Sequence, residues 1–276
     1  MPLQATLAEP VDIEGVGLHS GQPARLRLLP APAGHGRRFQ RMDLPGQPEI
    51  PAHIDQVRDT FLATTLGQGP ASVSTVEHLL AACVICGVDN LQVQVWGSEL
   101  PVLDGSAAPF MDRFTSLTPQ SAAPVLEILA PVEVRLDARA ARILPSPELR
   151  LELAIDFEHP AIGRQSLSLG PQDFASVATA RTFGFAEQIQ ALHQAGRALG
   201  GSLDNALVFD AAGPVNAPRM ADEPVRHKAL DLLGDLALVG ARLQGRVVTE
   251  RPGHALTQAL LTELMRRPEC WRLNTP

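Results

Sequence analysis

The chain has 276 residues, 45% of them hydrophobic and 19% charged, so it can bury one large core or two moderate ones without disulfides. Its formal net charge is −7, its isoelectric point is about 5.6, and it has no basic cluster. Tyr is absent and aromatic residues make up only 4%. These properties exclude broad electrostatic binding to nucleic acid and a base-stacking surface, so we expect no nucleic acid partner.

Cysteine usage and the N-terminus indicate a reducing compartment. The three cysteines, Cys83, Cys86 and Cys270, are too sparse for a disulfide framework. The first residues lack the basic and apolar regions of a signal peptide. The longest apolar run, residues 79–88, is too short to cross a bilayer. We therefore expect a cytoplasmic protein without a transmembrane segment, whose contact with a membrane, if any, is peripheral.

The first part of the chain predicts two strands around a helix. Residues 24–32 and 91–97 alternate polar and apolar side chains, which is typical of half-buried strands. Between them, STVEHLLAACVICGVDN predicts an apolar helix capped by Ser74 or Thr75 and ended by Gly87. The Cys-x-x-Cys spacing inside this helix allows redox or zinc chemistry, but the apolar setting favours two core residues.

The stretch LTPQSAAPV (117–125) predicts a linker between two domains, residues 1–120 and 121–276. The second part predicts strands at 126–136 and 149–157, a helix from near Pro224 to near Gly240, and a strand at 244–250. Both parts thus combine an apolar helix, a His near its start, a Gly stop and a strand. This similarity arises either by chance or from a duplicated α+β unit.

Two pairs of residues on these helices are compatible with a metal site. His227 and Asp231 stand at i and i+4, so their side chains share one helix face and could hold one cation. On spacing alone, an ordinary helical pair is the more frequent explanation. Glu77 and His78 are adjacent, so one could bind a metal while the other acts as a base beside it. The alternative is an acidic residue in a first helical turn, followed by a structural histidine.

Two further histidines follow glycine-rich segments. His254 comes directly after Gly253 at the start of a predicted helix. A histidine there could act as a general acid or stabilise an oxyanion; the alternative is a surface histidine near the helix start. His19 lies in GVGLHSG, which fails as a dinucleotide-binding loop because Ser20 replaces its third glycine. The role of His19 stays open on this pattern.

Several segments together carry a family resemblance. They are, in chain order, GVGLHSG, RDTFLATTL, STVEHLLAACVICGVDN, LPVLDGSAAPF, IDFEHPAIG, ARTFGF, GGSLDNALVFD, RHKALDLLGDLALVG and GHALTQALL. In this combination the chain resembles the UDP-3-O-acyl-N-acetylglucosamine deacetylases, which are zinc amidases of lipid A biosynthesis. The resemblance implies an α+β fold of two similar α/β-sandwich domains, with helices packed between two outer sheets and the site at the domain junction.

The resemblance also implies roles for individual residues. It makes His78, His227 and Asp231 the ligands of one zinc ion, with Fe²⁺ as an alternative metal. The expected catalytic residues are a general base, a general acid or electrostatic partner, a carboxylate that orients this partner, and an oxyanion donor: Glu77, His254, Asp235 and Thr182.

The substrate contacts that the resemblance implies fall into groups. Asp156 and Phe157 match the uridine-binding pair, Lys228 and Phe183 match other substrate contacts, and Lys228 with Arg251 suits a diphosphate. The stretch after Phe185, roughly to Leu199, matches an acyl-chain passage that contains Ile189 and Leu192. His19 completes the set of expected substrate-binding residues.

The expected reaction is zinc-dependent hydrolysis of the N-acetyl group of UDP-3-O-acyl-N-acetylglucosamine by a monomer. The alternatives are a catalytically silent relative that binds a sugar nucleotide, and a zinc amidase acting on another acylated sugar. Three departures from the family pattern affect loop geometry more than activity. Thr257 replaces an amide side chain, Ala63 replaces a Cys of some members, and the segment between residues 210 and 226 is shortened.

Overall fold

The computed structural model describes residues 2–275. The helices are α1 (Glu77–Cys86), α2 (Ala108–Met111), α3 (Ala186–Gln194), α4 (Glu223–Leu236) and α5 (His254–Met265). The strands are β1 (Leu3–Leu7), β2 (Val11–Val16), β3 (Pro23–Pro30), β4 (Arg37–Arg41), β5 (Glu49–Pro51), β6 (Val57–Asp59), β7 (Thr65–Gln68), β8 (Ala71–Val73), β9 (Leu91–Trp96), β10 (Leu117–Ala122), β11 (Val125–Ile128), β12 (Val132–Leu136), β13 (Arg139–Leu144), β14 (Arg150–Asp156), β15 (Arg164–Leu169), β16 (Phe183–Phe185), β17 (Leu207–Asp210), β18 (Gly213–Pro214), β19 (Arg242–Gln244), β20 (Arg246–Glu250) and β21 (Trp271–Asn274). Across the described residues, no helix has the length and apolar content that a membrane crossing requires.

Two five-stranded sheets repeat one topology. Their strand orders are β2-β3-β9-β4-β5 and β12-β13-β20-β14-β15. In each sheet the middle strand, β9 or β20, pairs antiparallel with one hairpin and parallel with the other. The chain enters each middle strand after a buried helix, α1 or α4. The α+β class and the duplicated unit that the sequence pattern suggested are both visible in this arrangement.

Helices α1, α4 and α5 share one hydrophobic core with the two five-stranded sheets. Helix α1 packs against α4, while α5 packs on β12 and β13 of the second sheet. Residues 77–83 of α1 are all buried, and α4 buries nearly every residue, because each helix has neighbours on several sides. This packing explains why α1 is apolar all round rather than along one stripe.

The two central helices approach closely at Gly234. A Cβ atom added to Gly234 would lie 2.0 Å from the carbonyl oxygen of Glu77. Only a residue without a side chain therefore allows the α1 and α4 backbones to touch at this point. The contact sets the distance between the first turn of α1 and the last turn of α4.

The structure corrects three sequence-based predictions. The supposed linker contains β10, which pairs with β1, so its polar residues belong to a two-stranded sheet rather than to a flexible connection. The strand predicted at 126–136 is two strands in different sheets. Helix α1 starts at Glu77 without a side-chain cap; Thr75 instead adopts a left-handed conformation (φ +59°) and donates its hydroxyl to Glu99. The domain boundary at 120/121 stays a prediction, and β10 runs through it.

Replacing Gly234 with Ala tests the helix contact. In an unconstrained helix this change stabilises by up to about 1 kcal/mol. Here the new methyl group must push α1 away, so we expect the free energy of unfolding to fall by about 1–3 kcal/mol. Denaturant unfolding measures the change. Gly184→Ala is the control, because a Cβ there meets no atom within 4 Å. A Gly234→Ala protein as stable as the parent would contradict the close packing.

Candidate active site

Three buried side chains from the two central helices converge on one point. His78 comes from α1, and His227 and Asp231 come from α4. The Nε2 atoms of His78 and His227 lie 3.7 Å and 3.3 Å from Asp231 Oδ1, and one donor atom from each residue lies within 4.8 Å of the others. Donors around a tetrahedral zinc at 2.0–2.1 Å are about 3.3 Å apart. The three residues therefore fit a divalent cation.

The protonation states of the three residues also suit a cation. Burial, and then the neighbouring His227, lowers the pKa of His78 to about 3, and burial lowers the pKa of His227. Burial opposes ionisation of Asp231, but His227 and Lys228 outweigh it and depress the pKa of that carboxyl. The Nδ1 atom of His227 lies 3.1 Å from the Ala180 carbonyl oxygen. This contact leaves the Nε2 lone pair directed toward Asp231.

Glu77 lies beside the three residues that could hold a metal ion and is not one of that group. The backbone N–H of Thr64 donates to its Oε2 (3.1 Å), and its Oε1 lies 3.9 Å from His254 Nε2. Burial raises the pKa of Glu77 to about 7, with His254 opposing the shift and Asp231 adding to it. A cation at the ligands would favour the ionised carboxylate. Glu77 can therefore exchange a proton near neutral pH.

His254 is held as an imidazolium by carboxylates. Its Nδ1 lies 2.8 Å from Asp235 Oδ2 and 3.2 Å from the hydroxyl of Thr64, which donates to Asp235 Oδ1 (2.6 Å). Burial alone would lower the pKa of His254, but the charge and hydrogen bond of Asp235 outweigh it and raise the pKa to about 10. With Nδ1 bound to Asp235, Nε2 faces Glu77 and Asp231.

These groups form one end of a cavity of about 870 Å³. The wall contains the metal-site residues, Glu77 and His254, and continues along apolar side chains of α3 and the segments around it. The predicted oxyanion donor Thr182 lies in the wall, and so do five of the predicted substrate contacts: His19, Phe183, Ile189, Leu192 and Lys228. The predicted catalytic groups and the predicted apolar passage therefore line the same cavity.

The predicted nucleotide contacts lie outside that wall. Asp156 accepts a 2.7 Å hydrogen bond from Arg251 on the surface, and Phe157 packs edge-on against Phe183, with ring centroids 5.5 Å apart.

Lys228 donates to Asp231 Oδ2 (2.8 Å) and lies 5.7 Å from the Phe183 ring. Leu199 is 49% exposed and does not join the passage wall that the described residues form.

Sequence reasoning missed several residues that hold the site together. Thr64 connects Glu77, Asp235 and His254, and Glu99 binds the loop that carries His19. Arg181 donates from its backbone N–H and side chain to the buried Glu223, which joins the segment before Thr182 to the start of α4. Thr64 and Arg181 stand inside quoted motifs, but neither carries a spacing that signals these contacts.

Two residues noted from the sequence have structural positions. Thr257 is buried and donates its hydroxyl back to the Gly253 carbonyl within the first turn of α5, so the helix start does not depend on an amide side chain. Cys83 is a free, buried thiol whose pKa is raised to about 12 by burial. At neutral pH it is therefore a core residue rather than a reactive thiolate.

Comparison with known proteins identifies the family. The family described as LpxC, UDP-3-O-acyl N-acetylglycosamine deacetylase, matches residues 4–266. This chain belongs to that family. The UDP-3-O-acyl-N-acetylglucosamine deacetylase of Thermosynechococcus vestitus is 52% identical over 258 residues, covering 92% of this chain and 90% of the relative. Relatives of the same name from Citrifermentans bemidjiense and Myxococcus xanthus are 43% and 44% identical, covering 99% and 98% of this chain and 92% and 88% of their own lengths.

The hydroxyl of Thr64 provides a test of the hydrogen-bond network in this LpxC family member. Thr64→Val removes the hydroxyl between Asp235 and His254 but keeps the side-chain shape and the backbone N–H that binds Glu77. Hydrogen bonds to ionised groups are worth about 1.5–3 kcal/mol, so we expect turnover to fall roughly tenfold or more with bound metal retained. Metal analysis and steady-state kinetics measure both.

Thr65→Val is the matched control for this change. Thr65 is the next residue, and its hydroxyl bonds Ser74 instead of the catalytic groups. We expect near-parental turnover from the control. Equal turnover of Thr64→Val and Thr65→Val would remove Thr64 from the network.

Proposed function

We propose that this protein is a zinc-dependent deacetylase that hydrolyses the N-acetyl group of UDP-3-O-acyl-N-acetylglucosamine, an early step of lipid A biosynthesis. The observation that carries the proposal is the convergence of His78, His227 and Asp231 with Glu77 and His254 at one end of a long apolar cavity. The family match supports the substrate class. Fe²⁺ suits the same ligands, and we favour zinc on the family resemblance.

The chain's own residues divide the proton transfers of this reaction. When bound, the metal supplies Lewis-acid polarisation and makes water more acidic. Glu77 accepts a proton from the attacking water, whose oxygen joins the acetyl carbon. His254 donates a proton from Nε2 to the glucosamine nitrogen as the C–N bond breaks, so acetate and a free amine leave. Thr182, in the cavity wall, suits the role of a hydroxyl donor to the oxyanion.

The acyl chain, the diphosphate and the uridine of the substrate each match different residues in or beside the cavity. The acyl chain suits the apolar wall at Ile189 and Leu192. Lys228 and Arg251 are local cations for the diphosphate, which the overall charge of −7 does not attract. Asp156 and Phe157, just outside the wall, remain our candidates for uridine. The protein acts in this proposal as a cytoplasmic monomer of two domains, 1–120 and 121–276, with membrane contact at most peripheral; three free thiols support a reducing compartment.

Substituting Glu77 and His78 in separate variants distinguishes the proposed general base from the proposed metal ligand. Glu77→Gln should keep full metal content but lose roughly 10²–10⁴ in acetate release, the usual contribution of general acid–base catalysis. His78→Ala should lose metal and activity together, because two remaining ligands do not complete a catalytic site. Metal analysis is paired with acetate release from purified protein.

The parent protein serves as the reference for both variants. Turnover of the parent supports the enzyme over a silent sugar-nucleotide-binding relative, and faster turnover on an acylated sugar without UDP would favour another amidase. Near-parental turnover by metal-loaded Glu77→Gln would overturn the proposed base.

Chain-length dependence tests the acyl passage. Each buried methylene contributes about 0.8 kcal/mol, so each one removed from the acyl chain should weaken binding roughly fourfold. Ile189→Glu should weaken binding of long chains more than of short ones, because it places a charge in the apolar wall. Gln190→Glu adds the same charge at the next, exposed residue and should leave chain-length dependence unchanged. The passage is refuted by equal kinetics for short and long chains.

A further inference from the structure

His19 is a buried imidazole that the family resemblance places among the substrate-binding residues but that has no part in the proposed proton transfers. It is 7% exposed and contributes to the cavity wall. Among residues 2–275, neither ring nitrogen makes a hydrogen bond of good geometry; a backbone interaction with Leu62 is a minor influence on the pKa of the ring. Apart from the metal ligand His78, all other histidines make at least one ring hydrogen bond. An unpaired buried polar group costs about 1–3 kcal/mol, so a side chain kept in this state indicates a ligand.

The backbone of His19 is held from two sides although its ring makes no bond. Its N–H donates to Glu99 Oε1 (2.8 Å), and its carbonyl accepts from the N–H of Leu199 (3.1 Å). The next N–H, of Ser20, donates to Glu99 Oε2 (2.8 Å). Glu99 is itself buried. The fold therefore fixes the position from which the ring reaches the cavity.

The same contacts locate His19 at the junction of the catalytic site and the passage. Glu99 also accepts from the hydroxyl of Thr75, two residues before the proposed base Glu77. On the other side, Leu199 follows α3, whose side chains line the passage. Burial lowers the pKa of His19; Glu99 opposes this shift, and Arg197 and His254 add to it. The neutral ring offers one donor and one acceptor.

The substrate has one polar group that matches this junction. In UDP-3-O-acyl-N-acetylglucosamine, the reacting amide and the acyl ester are attached to adjacent carbons of the sugar ring. With the amide at the metal site and the chain in the passage, the ester lies between them. Its carbonyl oxygen needs a donor if it is removed from water.

We propose that His19 donates a hydrogen bond to the carbonyl oxygen of the 3-O-acyl ester and so selects substrates that carry this group, with Glu99 as its positioning residue. This inference rests on the proposed function. It makes His19 a specificity-determining residue rather than a participant in proton transfer. Removing either the imidazole or the ester carbonyl should remove the same interaction.

The test combines a protein change with a substrate change. The substrates are the 3-O-acyl ester and the 3-O-alkyl ether of equal chain length, which lacks only the carbonyl oxygen. We expect the parent to prefer the ester about tenfold in kcat/KM, as for one hydrogen bond, and His19→Leu to reduce the preference to near one. His19→Gln retains a donor and should restore part of it.

A matched control and a binding measurement complete the experiment. His193→Leu changes another histidine of the cavity wall, one that already bonds the Ala198 carbonyl, and should keep the parental ester preference. Calorimetry with the deacetylated ester and ether measures the same preference in the metal-loaded protein without turnover. An undiminished preference in both His19 variants, or none in the parent, overturns the role of His19. Absence of acetate release with an intact binding preference would instead count against the proposed function.

Discussion

The contact between α1 and α4 at Gly234 is the constraint on which the site depends. One predicted metal ligand, His78, lies on α1, and the other two lie on α4, so no single helix forms the site. The backbones must approach until a Cβ at position 234 would overlap the Glu77 carbonyl. This contact brings the first turn of α1 next to α4, so the His78 side chain reaches the same point as His227 and Asp231. The apolar surfaces of both helices stabilise this approach.

Glu77 and His254, the two titratable groups beside the predicted metal ligands, favour different protonation states although both are buried. Burial shifts Glu77 toward its neutral form, while Asp235 keeps His254 charged. The difference comes from one partner: Asp235 is within 2.8 Å of His254, whereas Glu77 receives a single backbone N–H at 3.1 Å. One cavity can thus offer a proton acceptor and a proton donor at the same pH.

Much of this organisation could be predicted from the chain, because it rests on local patterns. Apolar periodicity gave α1, α4 and β9 close to their observed bounds, and the i, i+4 spacing paired His227 with Asp231. Partners that lie far apart in sequence could not be found this way. The Thr64 hydroxyl meets Asp235 across 171 positions, and only the tertiary fold brings them together. The linker prediction failed for the same reason, since a polar strand such as β10 is recognisable only by its pairing with β1.

The repeated topology explains why the site draws on equivalent places in both units. After the middle strand β9 the chain reaches Glu99, which binds the His19 loop, and after its counterpart β20 it reaches His254 in the cavity wall; both side chains are buried. The first hairpin of each sheet likewise reaches the cavity, through His19 in one unit and Arg139 in the other. Equivalent backbone positions have therefore acquired different chemistry. A duplicated scaffold supplies the shared cavity, and the unequal side chains at its equivalent positions give the two units separate tasks.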